Sequence, residues 1–295
     1  MNFTRLIALL SIVLLVSCEK AIEFSPRNPE PKLVVDATIE NNGYPMVYLS
    51  NSLNFFSTIS IDQLANSFVQ GASVEISNGS RTLPLKEFKV PLAENYFLTY
   101  YSFDSSDAAN SFRGEEGKTY TLNIEVGEKA YSASTTIPKL TKTIDSLYYE
   151  HNIDDEDSSK VVLYGKFNDP PGFGNYSRYF TSVNGGPFNA GLNSVYDDQV
   201  IDGKPYTVQI EQGVDRNSDI DFEEYSYFRK GDFIRVKFCN IDKGVFEFWR
   251  TMEYSYSSIG NPFSSPTKVL GNVSNGALGY FGGYAVQYAY ITIPE

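Results

Sequence analysis

Cysteine, histidine and tryptophan are almost missing from this sequence: 295 residues contain two Cys, one His and one Trp. Cys18 and Cys239 cannot build a disulfide framework. A lone histidine, His151, gives a Ser-His-Asp triad or a Cys-His pair one residue to build on, and a zinc site would have to draw most of its ligands from carboxylates. Basic residues are also scarce, 24 against 36 acidic, for a net charge of −12. Such a surface is repelled by phosphate and by anionic lipid, which excludes nucleic acid as a partner and a basic patch as a membrane anchor. No apolar run reaches the roughly 20 residues that cross a bilayer. No repeat of fixed period and no long low-complexity tract is visible, so solenoid and linker classes fall away. The five glycines from Gly271 to Gly283 lack the lysine and the spacing of a phosphate-cradling loop.

What is present begins with Leu15-Val16-Ser17-Cys18, directly after an apolar run from Leu6 to Val16 that has one basic residue, Arg5, ahead of it. The run has the length of a signal-peptide core, and the cysteine stands where a lipoprotein signal needs its nucleophile. Residues 1–17 are therefore expected to be removed and Cys18 to carry a diacylglyceryl anchor; an ordinary secretory signal is the alternative. Loss of Arg5 takes the net charge from −12 to −13. Residues 18–31 are polar and proline-bearing, without periodicity, and read as a tether; a dozen coil residues reach about 20 Å.

From Leu33 the chain reads as β-structure. Leu33–Ile39 alternates and turns at Asn41-Asn42-Gly43 into Met46–Leu49; Gly71–Ser77 alternates up to Asn78-Gly79, a strong hairpin signal; Lys118–Val126 turns at Gly127-Glu128 into Ala130–Ile137. Short strands at this density predict an immunoglobulin-like β-sandwich over 32–138. Residues 53–66 read as a loop or a short helix. A second β-rich domain is expected over 139–295, with strands near Leu147–Tyr149, Val161–Phe167, Tyr179–Val183, Tyr206–Ile210, Phe233–Cys239 and Tyr284–Ile293. It contains one helix, from Lys243 to about Ser255, capped by Asp242, with Val245, Phe248, Trp249 and Met252 on one face as core packing. The fold class is thus mainly all-β. Cys239, on a strand pattern, reads as a small buried hydrophobe. The 22 tyrosines and 21 phenylalanines suit sandwich cores and adaptable binding surfaces alike.

The best metal pattern is Asp215-Arg216-Asn217-Ser218-Asp219-Ile220-Asp221, where oxygen ligands alternate as in a calcium loop. Ile220 occupies the place of the obligatory glycine and Ser226 that of the bidentate glutamate, departures that favour a solvated acidic loop. The acidic run Asp154–Asp157 has the same reading. No cofactor or metal is assigned. Paired carboxylates would serve glycoside hydrolysis, but 36 acids offer too many pairs to choose one.

Asn261-Pro262-Phe263-Ser264-Ser265-Pro266 with the glycine-bearing segment after it, Cys18-Glu19-Lys20 followed by Pro31-Lys32-Leu33-Val34-Val35, Gly71-Ala72-Ser73-Val74, Gly117-Lys118-Thr119-Tyr120, and Asp169-Pro170-Pro171-Gly172 with Asn175-Tyr176 resemble, in order, the landmarks of a lipoprotein family known as domain of unknown function 4249. The resemblance covers essentially the whole chain after the signal. It implies an outer-membrane lipoprotein of a Gram-negative bacterium, encoded beside a TonB-dependent receptor and acting as its accessory, with no catalytic residue to carry over and Cys18 as the one site residue. The expectation is a non-enzymatic protein that captures a nutrient for a transporter or caps the transporter's mouth. An independent glycan- or peptide-binding module, with Trp249 and exposed tyrosines stacking on ligand, is the second reading, and a carboxylate-based hydrolase the third.

Overall fold

Leu33, Val35, Ala37 and Ile39 are buried while the residues between them are not, so the first segment is a strand with one dry face, β1 (Leu33–Glu40). In the computed structural model, which describes residues 30–53, 59–93, 96–151, 157–261, 263–265 and 267–295, β1 turns into β2 (Met46–Asn51). The turn needs a left-handed residue, and Asn42 supplies it at φ 63°. Cys18, most of the expected tether and Asp154–Glu156 lie outside the described residues. Among those described, no helix is long and apolar enough to cross a membrane.

The undecided stretch contains helix α1 (Ile61–Ser67), whose start is fixed by a capping box between Ser60 and Gln63. Strands β3 (Ser73–Ser77) and β4 (Thr82–Pro84) form the expected Asn-Gly hairpin, and β5 (Lys86–Ala93) pairs with β6 (Tyr96–Ser102). β7 (Thr119–Val126) and β8 (Lys129–Thr136) are joined across Gly127, at φ 58°. Then come β9 (Thr143–His151), β10 (Lys160–Asn168), β11 (Tyr176–Val183), β12 (Asn189–Tyr196), β13 (Pro205–Ile210), β14 (Phe228–Arg229), β15 (Phe233–Ile241), helix α2 (Lys243–Ser257) and β16 (Leu278–Thr292).

The strands form three sheets. The largest has eight strands in the order β12-β11-β15-β16-β1-β2-β6-β5; the others are β4-β3-β7-β8 and β13-β10-β14 with β9 on β10. The fold is all-β and sandwich-like. The two small sheets cover one face of the large one. Val74, Ile76, Tyr120, Leu122 and Ile124 meet Val35, Ile39, Val47, Leu49 and Phe281 in one core. Val161, Leu163, Phe167 and Ile210 meet Tyr179, Ile234, Val236 and Phe238 in a second. Burying such side chains contributes about 1.5–3 kcal/mol each, which makes these layers the main source of stability.

The expected boundary at 138/139 does not divide this fold. Residues 31–295 form one compact unit, because β16 lies between β15, to which it is antiparallel, and β1, to which it is parallel. The sandwich expected over 32–138 is thus completed by a strand from the far end of the chain. Gly279, at φ 93°, makes that junction possible, since a Cβ there would stand 1.9 Å from the Val35 carbonyl oxygen.

The opposite face of the large sheet is only partly covered. Helix α2 lies on it, with Val245, Phe246 and Phe248 packed against Cys239, Ile241, Tyr280 and Tyr284. Its N-cap is the expected one: Asp242 Oδ1 accepts from Val245 N at 2.9 Å, and Oδ2 accepts from Thr135 Oγ1 and Thr136 N at 2.7 and 3.0 Å, tying the helix to β8. The strip of sheet beside the helix stays open.

Candidate functional site

Strand alternation decides what fills that open strip. Because the odd residues of β1 enter the core, Asp36, Thr38 and Glu40 point outward; on β2 it is Tyr48, on β11 Arg178 and Phe180, on β15 Lys237, and on β16 Tyr280 and Tyr284. These side chains, with Phe188, Asn189 and Arg216 from the β12 side and Trp249 from α2, line a cavity of about 380 Å³. That size falls within the range of small-molecule sites.

Arg178 is its central residue and is only 3% exposed. Its guanidinium carbon lies 3.5 Å from the centre of the Trp249 ring and 4.7 Å from that of Phe180. Nε donates to Ser194 Oγ at 3.0 Å and Nη1 to Tyr284 Oη at 3.4 Å. Ser194 is itself held, its Oγ and N donating to the buried Glu253 at 2.5 and 3.0 Å. A chain of contacts from α2 through β12 thus fixes the planar fork, as stacking and a directed Nε bond should. The other two cations of the cavity are paired: Arg216 with Glu253 at 3.3 Å, and Lys237 with Glu40. Among the described residues no carboxylate forms an ion pair with Arg178, and its Nη2 makes no hydrogen bond.

The remaining groups tune the cavity. Asp36 is reached by solvent yet ringed by protein; the water this displaces raises its carboxyl above the usual range, against the pull of Arg178 and the Tyr280 hydroxyl. Burial also raises Tyr280 and Tyr284, whose hydroxyls share a 3.1 Å hydrogen bond, so both stay protonated at neutral pH. Trp249 Nε1 donates to Tyr284 Oη at 3.2 Å.

A second cavity, of about 720 Å³, shares Asp36, Trp249 and Tyr280 with the first and is roofed by the segment from Lys268 to Gly279. Phe248, Met252, Val269, Val273 and Leu278 make it mostly apolar. On the other flank, Tyr48 begins an aromatic row across β2, β6 and β5: its ring centre lies 5.9 Å from Tyr100, which stacks on Phe88 at 5.3 Å.

Trp249 was expected as core, and it does pack on Phe248 and Tyr280, at 5.1 and 5.4 Å between ring centres; its half-buried ring is also the wall between the two cavities. Cys239 is buried as expected, which pushes its thiol up to about 12. His151 is exposed on β9, edge-on to Tyr149. In the acidic loop, Asp215 Oδ1 accepts from Asn217 N at 2.9 Å and Asp221 Oδ1 from Glu223 N at 3.0 Å, so both carboxylates close their own turns. Among the described residues the convergent acidic group is another one, Asp169, Asp198 and Asp202. These staple the Asp169–Asn175 loop: Asp198 accepts from Gly174 N, Asn175 N and Asn175 Nδ2, Asp202 from Gly172 N, and Asp169 from Gly203 N. Sequence reasoning did not single out Arg178, Asp36 or Lys237. Each reads as an ordinary outward residue of an alternating strand, and only the placement of α2 turns that face into a cavity.

A family model described as domain of unknown function (DUF4249) matches residues 19–288. The chain belongs to this family. The DUF4249 match spans both small sheets and the Arg178 cavity, so the site lies within the family's common body. No curated protein matches this DUF4249 chain.

Proposed function

We propose that this chain is a lipid-anchored outer-membrane protein that captures a small ligand in the Arg178 cavity and serves a TonB-dependent transporter, without catalysing a reaction of its own. The observation that carries the capture is Arg178, a guanidinium almost wholly withdrawn from water, braced by Trp249 and Ser194, and without an ion pair among the described residues at the wall of a cavity. Burying a charge that has no close ion-pair partner costs several kcal/mol, and a ligand that brings an anion into contact with it offsets that cost. The anchor is supported by Leu15–Cys18, and the transporter by the landmarks shared with DUF4249 lipoproteins. A Cys18→Ser form is expected to fold, to leave the membrane fraction, and to lose crosslinks to an outer-membrane transporter. A Cys18→Ser protein that kept both membrane association and crosslinks would overturn the reading.

A second reading, an independent glycan-binding module, is favoured by the row Tyr48-Tyr100-Phe88, which offers stacking faces beside the cavity. A pull-down on polysaccharides tests it: retention that a Tyr100→Ala form loses would support it.

A further inference from the structure

The two adjoining cavities differ in chemistry, and that difference carries information about the ligand. The first presents a fixed planar fork with free donors; the second is apolar and nearly twice as large. They meet at Asp36, Trp249 and Tyr280, so a ligand held at Arg178 reaches the apolar space by passing beside Trp249. We infer that the ligand is a small amphipathic carboxylate, its carboxylate seated on Arg178 and its apolar body running past Trp249 into the cavity lined by residues 268–279. The inference rests on the cavity being a capture site.

Four features select this class. The guanidinium matches a carboxylate in a bidentate, planar way, and two of its nitrogens are already oriented by Ser194 and Tyr284. Arg216 and Lys237 are engaged by Glu253 and Glu40, so of the three cations lining the first cavity Arg178 is the one without an ion pair among the described residues. Asp36 and Glu40 on the same wall repel a second negative charge, which disfavours phosphate and other multiply charged groups. Beyond the head group, the lining that the apolar cavity draws from Phe248, Met252, Val269 and Leu278 favours an extended hydrocarbon or aromatic body over a sugar.

The chain's single tryptophan sits at the junction, so its emission reports this site alone. The experiment titrates the chain from Cys18 onward with hexanoate, octanoate and decanoate, with decanamide as the uncharged counterpart of decanoate, and with galacturonate as a carboxylate lacking an apolar body, following Trp249 emission. Decanoate is expected to bind roughly ten- to a hundredfold more tightly than decanamide, the worth of a hydrogen-bonded charge. Affinity is expected to rise up to roughly fourfold per added methylene. Arg178→Gln should abolish the preference for decanoate over decanamide. Ala277→Phe, which places a ring in the apolar cavity, should flatten the dependence on chain length. The decanoate and decanamide comparison needs only the unaltered chain, so a variant that fails to fold does not decide the outcome. Equal binding of the acid and the amide, affinity independent of chain length, or galacturonate binding more tightly than decanoate would each overturn the inference. If no carboxylate moves the emission while Cys18→Ser still loses transporter crosslinks, the ligand class is wrong and the anchored accessory stands; carboxylate binding without those crosslinks supports the ligand class and refutes the accessory role.

Discussion

Lys142 and Asp169 stand at the open end of the β9–β10 pair, one residue before β9 and one after β10, and both side chains are 0% exposed, with Nζ 3.1 Å from Oδ1. The approach is close, but neither atom has a well-directed hydrogen bond, so the attraction is one of charge. At that distance and an effective dielectric of ~20 it amounts to ~5 kcal/mol. Desolvating two ions costs several kcal/mol each, so the intact pair adds little net stability. Removing one partner is different. Lys142→Met strands the Asp169 carboxylate, and Asp169→Asn strands an ammonium that, among the described residues, retains the Tyr206 ring, 5.2 Å away. Each single change is expected to cost ~3–5 kcal/mol, a large part of a typical ~5–15 kcal/mol. The double change leaves no stranded charge, and the new carboxamide still accepts from Gly203 N, so it should cost less than either single one. Urea unfolding followed by Trp249 emission measures all four forms. Single losses under ~1 kcal/mol, or losses that simply add in the double form, would refute this account.

Three further perturbations test other parts of the structure. Asp242→Ala removes the cap of α2 and its two bonds to β8, and should lower stability by about 2–3 kcal/mol in the same urea assay. Gly279→Ala forces a side chain into φ 93° against the Val35 carbonyl and should cost at least ~2 kcal/mol, with loss of amide-exchange protection in β1. Cys239 should resist iodoacetamide in the folded chain and react once unfolded. Its folded thiol lies at about 12 against an ordinary 9.0, so the proton is held more tightly when folded; the stability it contributes is complete below 9.0 and declines as pH rises towards 12. Alkaline unfolding monitored by circular dichroism checks that window.

The hairpins at Asn42-Gly43, Asn78-Gly79 and Gly127, and the helix behind Asp242, were legible because each is written in adjacent residues: a turn type demands its residues, and a cap stands one place before its helix. The division into two domains was not, because the pairing of β1 with β16 leaves no local mark. The start of β16 was hidden for a related reason. Gly279, Gly282 and Gly283 read as loop residues, whereas they sit in a strand where close neighbours leave no room for a side chain. The candidate site was legible only in Trp249. Arg178 and Asp36 look like any solvent-facing strand residue, since alternation tells which face a residue takes but not what later lies over it.

The parallel pairing of Val34 with Leu278 acts as a clasp between the two ends of the folded body. A chain emerging in order can form its early hairpins but cannot close the large sheet until the segment after α2 arrives, and so many distant contacts slow the last step. The same pairing ties the Arg178 cavity to completion of the clasp, for Asp36 on one strand and Tyr280 on the other face each other across it: Asp36 pairs with Tyr280 in the register of that junction. A body whose clasp is open has no cavity to fill.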